Sequence, residues 1–393
     1  MVSFLKRFQA TDSYDPWKLL DSKDYQDLYS NAGLEQIICD IDKTYLETNF
    51  ESLTDLARIP FEQAEDKITV AGAAELLLQL RWGPQLQLSS NSIPTTECQH
   101  IPATGPHPRP LHFVSSSPPL LRKVLADKFC QDDLDWSSDT FKNQIYNIRA
   151  IRFDQLRQQI LYKTAAILQR IYLAPANSQF LLIGDNAESD IYVYIGIKLY
   201  VEGLISTAAY AHYLALSGLD KTAIEKVLAK INQLRGISAH NSDSLRCEKR
   251  IKAIFIRNIK HYAHKFDFAS ILKTPIHFFD DFFDASLQLL AESYLEPASI
   301  HELVAVFHNR KRFALADLTA RLQLCLKQIP SLQEGLASWL PELQARFPEP
   351  IEEGLYFLQH SAIKSYVRKD LDTFYALTEA DYLAAAEAWW RKG

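Results

Sequence analysis

Three apolar runs in this chain end in residues able to do chemistry. LEQIIC leads into Asp40 and Asp42, LHFV into Ser115, and QFLLIG into Asp185 and, shortly after, Asp190. A lysine, Lys163, precedes the third run on a segment with helical patterning. Together these residues could transfer a phosphoryl group. Asp40 would be the nucleophile, forming an aspartyl-phosphate. Asp42 lies two residues on, so an extended chain turns it to the same side. There it could protonate the leaving oxygen and later accept a proton from water. Ser115 and Lys163 would hold the phosphoryl oxygens through a hydroxyl and a fixed positive charge. Asp185 and Asp190, with Asp40, offer the hard oxygen donors that suit Mg²⁺. A cation is called for because a phosphate dianion and a carboxylate nucleophile repel each other.

These residues need elements that end in one place. The apolar runs read as buried strands, near residues 34–42, 111–114 and 179–183, with a further one at 252–259 (KAIFIRNI). Between them lie helical patterns at 71–80, 119–130, 153–173, 190–216 and 220–235, and an acidic connector at 131–140. Alternating strands and helices argue an α/β fold, a Rossmann-like, mostly parallel sheet with helices on both faces. In such sheets ligands bind beyond the carboxyl ends of the strands, where these polar residues fall. Residues 82–110 are rich in Pro, Ser, Thr and Gly and read as a long surface loop.

From about residue 266 every periodic segment reads as helix: 281–294, 298–308, 313–328, 332–345, 350–366 and 379–391. With 393 residues, a prior of about 150 per domain suggests two or three domains. The expected division is 1–265, a catalytic domain with a two-helix insertion at 195–250, and 266–393, an all-α C-terminal domain.

Composition removes several function classes. At 47% hydrophobic and 23% charged, the chain is neither disordered nor a coiled-coil rod. A net charge of −6 supplies no global field for nucleic acid. Five scattered cysteines without a CxxC pair argue against a disulfide framework and for a reducing compartment. The first residues carry Lys6, Arg7, Asp12 and Asp15 without an apolar core, so no ordinary signal peptide is expected. The most apolar stretch, 191–216, is interrupted by Lys198, Glu202 and His212, so no membrane span is expected. Eleven histidines lack HxxxH or HExxH spacing, and no Walker or GxGxxG motif occurs.

The motif D-x-D-x-T (Asp40, Asp42, Thr44), then Ser115, Lys163 and GDxxxxD (Asp185, Asp190), resembles the haloacid dehalogenase superfamily of aspartate-nucleophile phosphatases. Closer detail resembles its actin-patch phosphatidate phosphatase branch, related to lipins. The shared words are IICDIDKT at 37–44, HFVSSSP at 112–118, KTAAILQRI at 163–171, FLLIGDNAESDIYVY at 180–194 and AIFIRNI at 253–259. The resemblance covers about residues 34–260. Lys43 departs from it, because that branch more often has an acidic residue there. What it implies is a Mg²⁺-dependent phosphatase acting on phosphatidate or a related lipid phosphate. The catalytic set is then Asp40, Asp42, Ser115 and Lys163. Thr44, Ser116, Ser117 and Asn186 line the substrate, and Asp40, Asp42, Asp185 and Asp190 hold the metal. Residues 45–70 and 119–162 are too short for a full cap domain. An open site suits a large substrate or a headgroup at a bilayer. The expected setting is cytoplasmic, peripheral to a membrane. Two alternatives stay open: a phosphatase of a soluble phosphoester or phosphoprotein, and a binding module whose C-terminal helices recruit a protein partner.

Three further words have competing readings. Asp280, Asp281 and Asp284 spell DDxxD, which resembles a terpenoid-synthase metal motif. No second metal motif follows, so a helix start with Phe core contacts is the favoured reading. Residues 246–265 hold nine Lys, Arg or His, either a basic rim for anionic lipid or a strand flanked by solvated charges. The C-terminal LAAAEAWWRK reads more readily as a docked helix than as a membrane-interface segment.

Overall fold

The computed structural model describes residues 35–48, 63–83, 108–117, 121–141, 152–175, 177–187, 189–240, 250–259, 276–309, 313–329, 332 and 372–392. Six strands form one sheet: β1 (Glu35–Asp40), β2 (Leu111–Ser115), β3 (Ser138–Phe141), β4 (Gln179–Asp185), β5 (Arg250–Arg257) and β6 (Ile276–Phe279). Their order is β3-β2-β1-β4-β5-β6, and every pairing is parallel. A parallel sheet is covered on both faces, which is why β1 and β4 are apolar without alternation. β1 pairs with β2 on one side (Ile37 opposite Leu111) and with β4 on the other (Cys39 opposite Ile183). The strand order therefore reverses between β1 and β4, the crevice where such sheets bind ligands.

Successive side chains go to opposite faces. Ile37 and Cys39 of β1 and Leu181 and Ile183 of β4 meet α1 (Ala73–Trp82), α2 (Arg122–Gln131), α7 (Phe282–Ala291), α8 (Pro297–Asn309) and α9 (Leu315–Gln328) in one cluster. Ile38, Phe180 and Leu182 join the other cluster. Its helices are α3 (Arg152–Leu173), α4 (Asp190–Val201), α5 (Thr207–Leu216), α6 (Lys221–His240) and α11 (Glu379–Lys392). A short α10 (Asp372–Tyr375) adds Phe374 to that face. Trp389 of α11 stacks on Tyr192 at 4.9 Å and is 4% exposed, so the C-terminal helix is docked.

Several expectations are corrected. The connector at 131–140 ends in β3, whose polar SDTF sequence hides a strand at the sheet edge. The region past 266 is not wholly helical, because Ile276–Phe279 extends the sheet beside β5. Residues 190–216 are two helices, broken at Gly203, whose φ of +72° an L side chain resists. With α6, the 195–250 region thus holds three helices, not two. The expected domain boundary at 265/266, most of the loop at 82–110, and the helices expected within 333–366 lie outside the described residues.

Candidate active site

Asp40 is the last residue of β1 and is fully buried. Across the crevice, Asp185 ends β4 and Asp190 opens α4, both also fully buried. Carboxylate oxygens of these three lie within 4.8 Å of one another. Gly184 makes this possible: a Cβ there would meet Asp190 Oδ2 at 2.4 Å. Asp190 Oδ2 also accepts from the Asp185 amide at 3.2 Å, and Asp185 Oδ1 accepts from the Ala187 amide at 2.6 Å. The tight turn between β4 and α4 thereby aims both carboxylates at the end of β1.

Lys163 comes up from α3 and is 1% exposed. Its Nζ sits 2.8 Å from Asp40 Oδ1 and 2.5 Å from Asp190 Oδ1. One ammonium thus faces two carboxylates directly, with the third close by. Buried charge of one sign in excess is costly unless something of the other sign joins it. Two neighbouring groups are shifted by burial first and by these carboxylates second. The Cys39 thiol is pushed well up by burial, then by Asp40 and Asp190, with Lys163 opposing. The Tyr194 hydroxyl is pushed well up by burial, Asp190 and Asp40. An all-oxygen donor set with excess negative charge fits a hard divalent cation.

Asp42 stands apart from that cluster. Its Oδ2 accepts from Ser115 Oγ at 2.9 Å and Ser117 Oγ at 2.8 Å, and Ser115 Oγ itself accepts from the Ser117 amide at 2.9 Å. Both hydroxyls reach the same oxygen, which fixes the carboxylate's direction. Of the four carboxylates expected to hold a metal, Asp40, Asp185 and Asp190 cluster, while the side chain of Asp42 is turned to the two serines. Thr44 Oγ1 donates to Asp185 Oδ2 at 3.4 Å. Asn186 donates to Asn258 Oδ1 at 2.9 Å and accepts from the Ile259 amide at 2.7 Å, tying β4 to β5. Ser116 is 7% exposed beside them.

Sequence reasoning assigned no role to Gly184, Asn258 and Arg257, whose parts depend on contacts across the sheet. The AIFIRNI word was the one signal for the last two. The DDxxD residues behave as a helix start: Asp281 caps α7 by accepting from the Asp284 amide, and Arg321 of α9 pairs with Asp281 at 2.7 Å and Asp284 at 3.1 Å.

Residues 35–207 match the family model of the catalytic domain of phosphatidate phosphatase APP1. That family is a phosphoric monoester hydrolase. The matched residues run from β1 through α4 and include Asp40, Asp42, Ser115, Lys163, Asp185 and Asp190. No curated protein and no solved structure gives a significant match.

Proposed function

We propose, from a catalytic domain at 35–207 that belongs to the phosphatidate phosphatase APP1 family, that this chain hydrolyses phosphatidate or a related lipid phosphate to diacylglycerol and phosphate. The observation that carries the mechanism is the pairing at the end of β1: Asp40 beside one buried ammonium, and Asp42 held separately by two hydroxyls. A carboxylate oxygen of Asp40 attacks phosphorus while the bond to the alkyl oxygen breaks. Asp42 gives its proton to that oxygen, releasing the alcohol. It then takes a proton from water, which attacks phosphorus and frees Asp40 and inorganic phosphate. Lys163 fixes the Asp40 carboxylate through the ion pair at 2.8 Å. Ser115 and Ser117 anchor Asp42 through Oδ2, which leaves Oδ1 for proton transfer. Thr44 steadies Asp185. Asp40, Asp185 and Asp190 would hold Mg²⁺, which supplies the positive charge that lets a phosphate dianion approach a carboxylate.

No helix among the described residues is long and apolar enough to cross a membrane. We propose a peripheral encounter with lipid from the cytoplasmic side. The helices α7–α9 bury their apolar faces in the cluster shared with the sheet. That favours a covering role for them over a separate recruiting module.

The test is phosphate release from phosphatidate in mixed micelles and from p-nitrophenyl phosphate, with Mg²⁺ or EDTA, by wild type and Asp40→Asn. Mg²⁺-dependent release from phosphatidate that vanishes in the variant is the expected result. Release from the soluble ester alone discards the lipid. Undiminished release by Asp40→Asn discards the mechanism.

A further inference from the structure

One charged side chain at the carboxyl end of the sheet has no part in the steps above. Arg257 ends β5, beyond the residues matched to the family, and its side chain is 16% exposed. Its Nη1 donates to the Lys43 carbonyl at 2.7 Å, while Nη2 lies 3.9 Å from Glu47 Oε1. Its own carbonyl accepts from the Asn186 amide at 3.1 Å, directly after Asp185. Arg257 therefore links the loop leaving β1 to the turn leaving β4.

Lys43 is the residue it grips, and Lys43 is strained. It stands at φ +59°, a left-handed conformation that disfavours a residue with a side chain. Both of its backbone polar groups are held: the amide donates to Thr48 Oγ1 at 3.0 Å, and the carbonyl accepts from Arg257. Asp42 is the residue before and Thr44 the residue after. A relaxed Lys43 would swing Asp42 off Ser115 and Ser117 and Thr44 off Asp185.

We propose that Arg257 is a positioning residue. By holding the Lys43 carbonyl it fixes the turn that presents Asp42 to the leaving oxygen and Thr44 to Asp185. This rests on the phosphatase reading above, in which Asp42 is the proton donor. Strain persists only where the surroundings over-determine it, and Arg257 supplies one of the two fastenings.

A role through Asp42 has a signature that a purely structural role lacks. An alkoxide must be protonated to leave, whereas p-nitrophenolate is a good leaving group without a proton. The experiment measures kcat/KM of wild type, Arg257→Ala, Arg257→Lys and Asp40→Asn on phosphatidate, glycerol phosphate and p-nitrophenyl phosphate with Mg²⁺. It also measures the inhibition constant of inorganic phosphate and the melting temperature. For Arg257→Ala we expect the alkyl esters to lose about 10–100-fold, the scale of a small misplacement of a catalytic group. The p-nitrophenyl ester should lose several times less, and the phosphate inhibition constant should stay within about twofold. Arg257→Lys keeps a donor and should recover part of the loss; it also serves if the alanine variant does not fold.

Equal losses on all esters with a raised phosphate inhibition constant would overturn the proposal in favour of direct phosphate binding. A lowered melting temperature with unchanged leaving-group selectivity would reduce Arg257 to a structural residue. Wild type silent on every ester, or an active Asp40→Asn, would overturn the phosphatase reading itself and this proposal with it.

Discussion

Lys163 and Lys198 are equally buried, each with a side chain 1% exposed, yet their surroundings differ in kind. Lys198 faces one carboxylate, Glu202, at 2.9 Å, and spends its other donors on the Ile251 carbonyl and the Tyr375 hydroxyl. Positive charge there is not outnumbered, since Arg250 is also near, and the ammonium ties α4 to β5 and to α10. Burial nevertheless lowers its pKa, with Glu202 opposing. Lys163 faces two carboxylates directly and a third close by. Burial alone marks neither site as functional. What separates them is the unbalanced charge around Lys163, together with its place at the crevice between β1 and β4. A structural ion pair is complete within the protein. The cluster at Lys163 groups three buried carboxylates that could hold a metal ion.

Exchanging each lysine for methionine is the strongest way to break this comparison. Lys163→Met should lower kcat by about 10²–10³-fold, the scale seen when one preorganised electrostatic contact is removed. Lys198→Met should leave kcat within about threefold but cost about 3–5 kcal/mol of stability, because Glu202 loses its ammonium and keeps only the Ile251 amide and the Tyr375 hydroxyl. Steady-state kinetics and urea denaturation of both variants check this. Loss of activity in Lys198→Met at unchanged stability would erase the distinction.

The distinction is partly legible in the amino-acid sequence. Asp40 and Asp185 follow apolar runs because strands buried on both faces must be apolar until they emerge at the site. Lys163 is legible only as one lysine on a helix placed before the third run. What stays hidden depends on contacts between distant segments. β3 has too few apolar residues to show as a strand, and β6 is four residues long and runs almost directly into a helix that also begins with Phe. Ser117 and Ser115 meeting one oxygen of Asp42, and Gly184 making room for Asp190, are facts of space and not of pattern.

Gly184→Ala sharpens the comparison more gently, because it disturbs the Lys163 cluster without removing a charge. The new methyl would press on Asp190 Oδ2, so we expect a loss of about 1–3 kcal/mol, typical of overpacking. Divalent binding should weaken too. Mg²⁺ that binds only the folded state stabilises wild type by about 2.7 kcal/mol at a hundred times its Kd. Thermal unfolding with and without Mg²⁺ should show a smaller rise in the variant than in wild type. An equal rise would separate Gly184 from the metal site.

The smallest effect is expected at the amino end of the sheet, where His112 is fully buried between Ser138 Oγ at 2.6 Å and Gln36 Oε1 at 3.2 Å. Burial, then Arg170 and Arg81, hold its pKa well below 6.5. The unfolded chain therefore takes up a proton that the folded imidazole refuses. Stability from this residue is complete above about pH 6.5 and is lost as pH falls below it. His112→Gln should flatten that part of the stability profile and leave kcat unchanged. A changed kcat would extend the site further down the sheet than its geometry indicates.

In the proposed mechanism Asp40 carries the phosphoryl group during turnover. Acid-quenching the wild-type enzyme while it hydrolyses phosphatidate with Mg²⁺, followed by peptide mass spectrometry, tests it most directly. The account expects a phosphoryl group on the peptide containing Asp40, removed by hydroxylamine and absent from Asp40→Asn. A phosphoryl group on any other residue would contradict it, as would steady turnover through an enzyme that never becomes labelled.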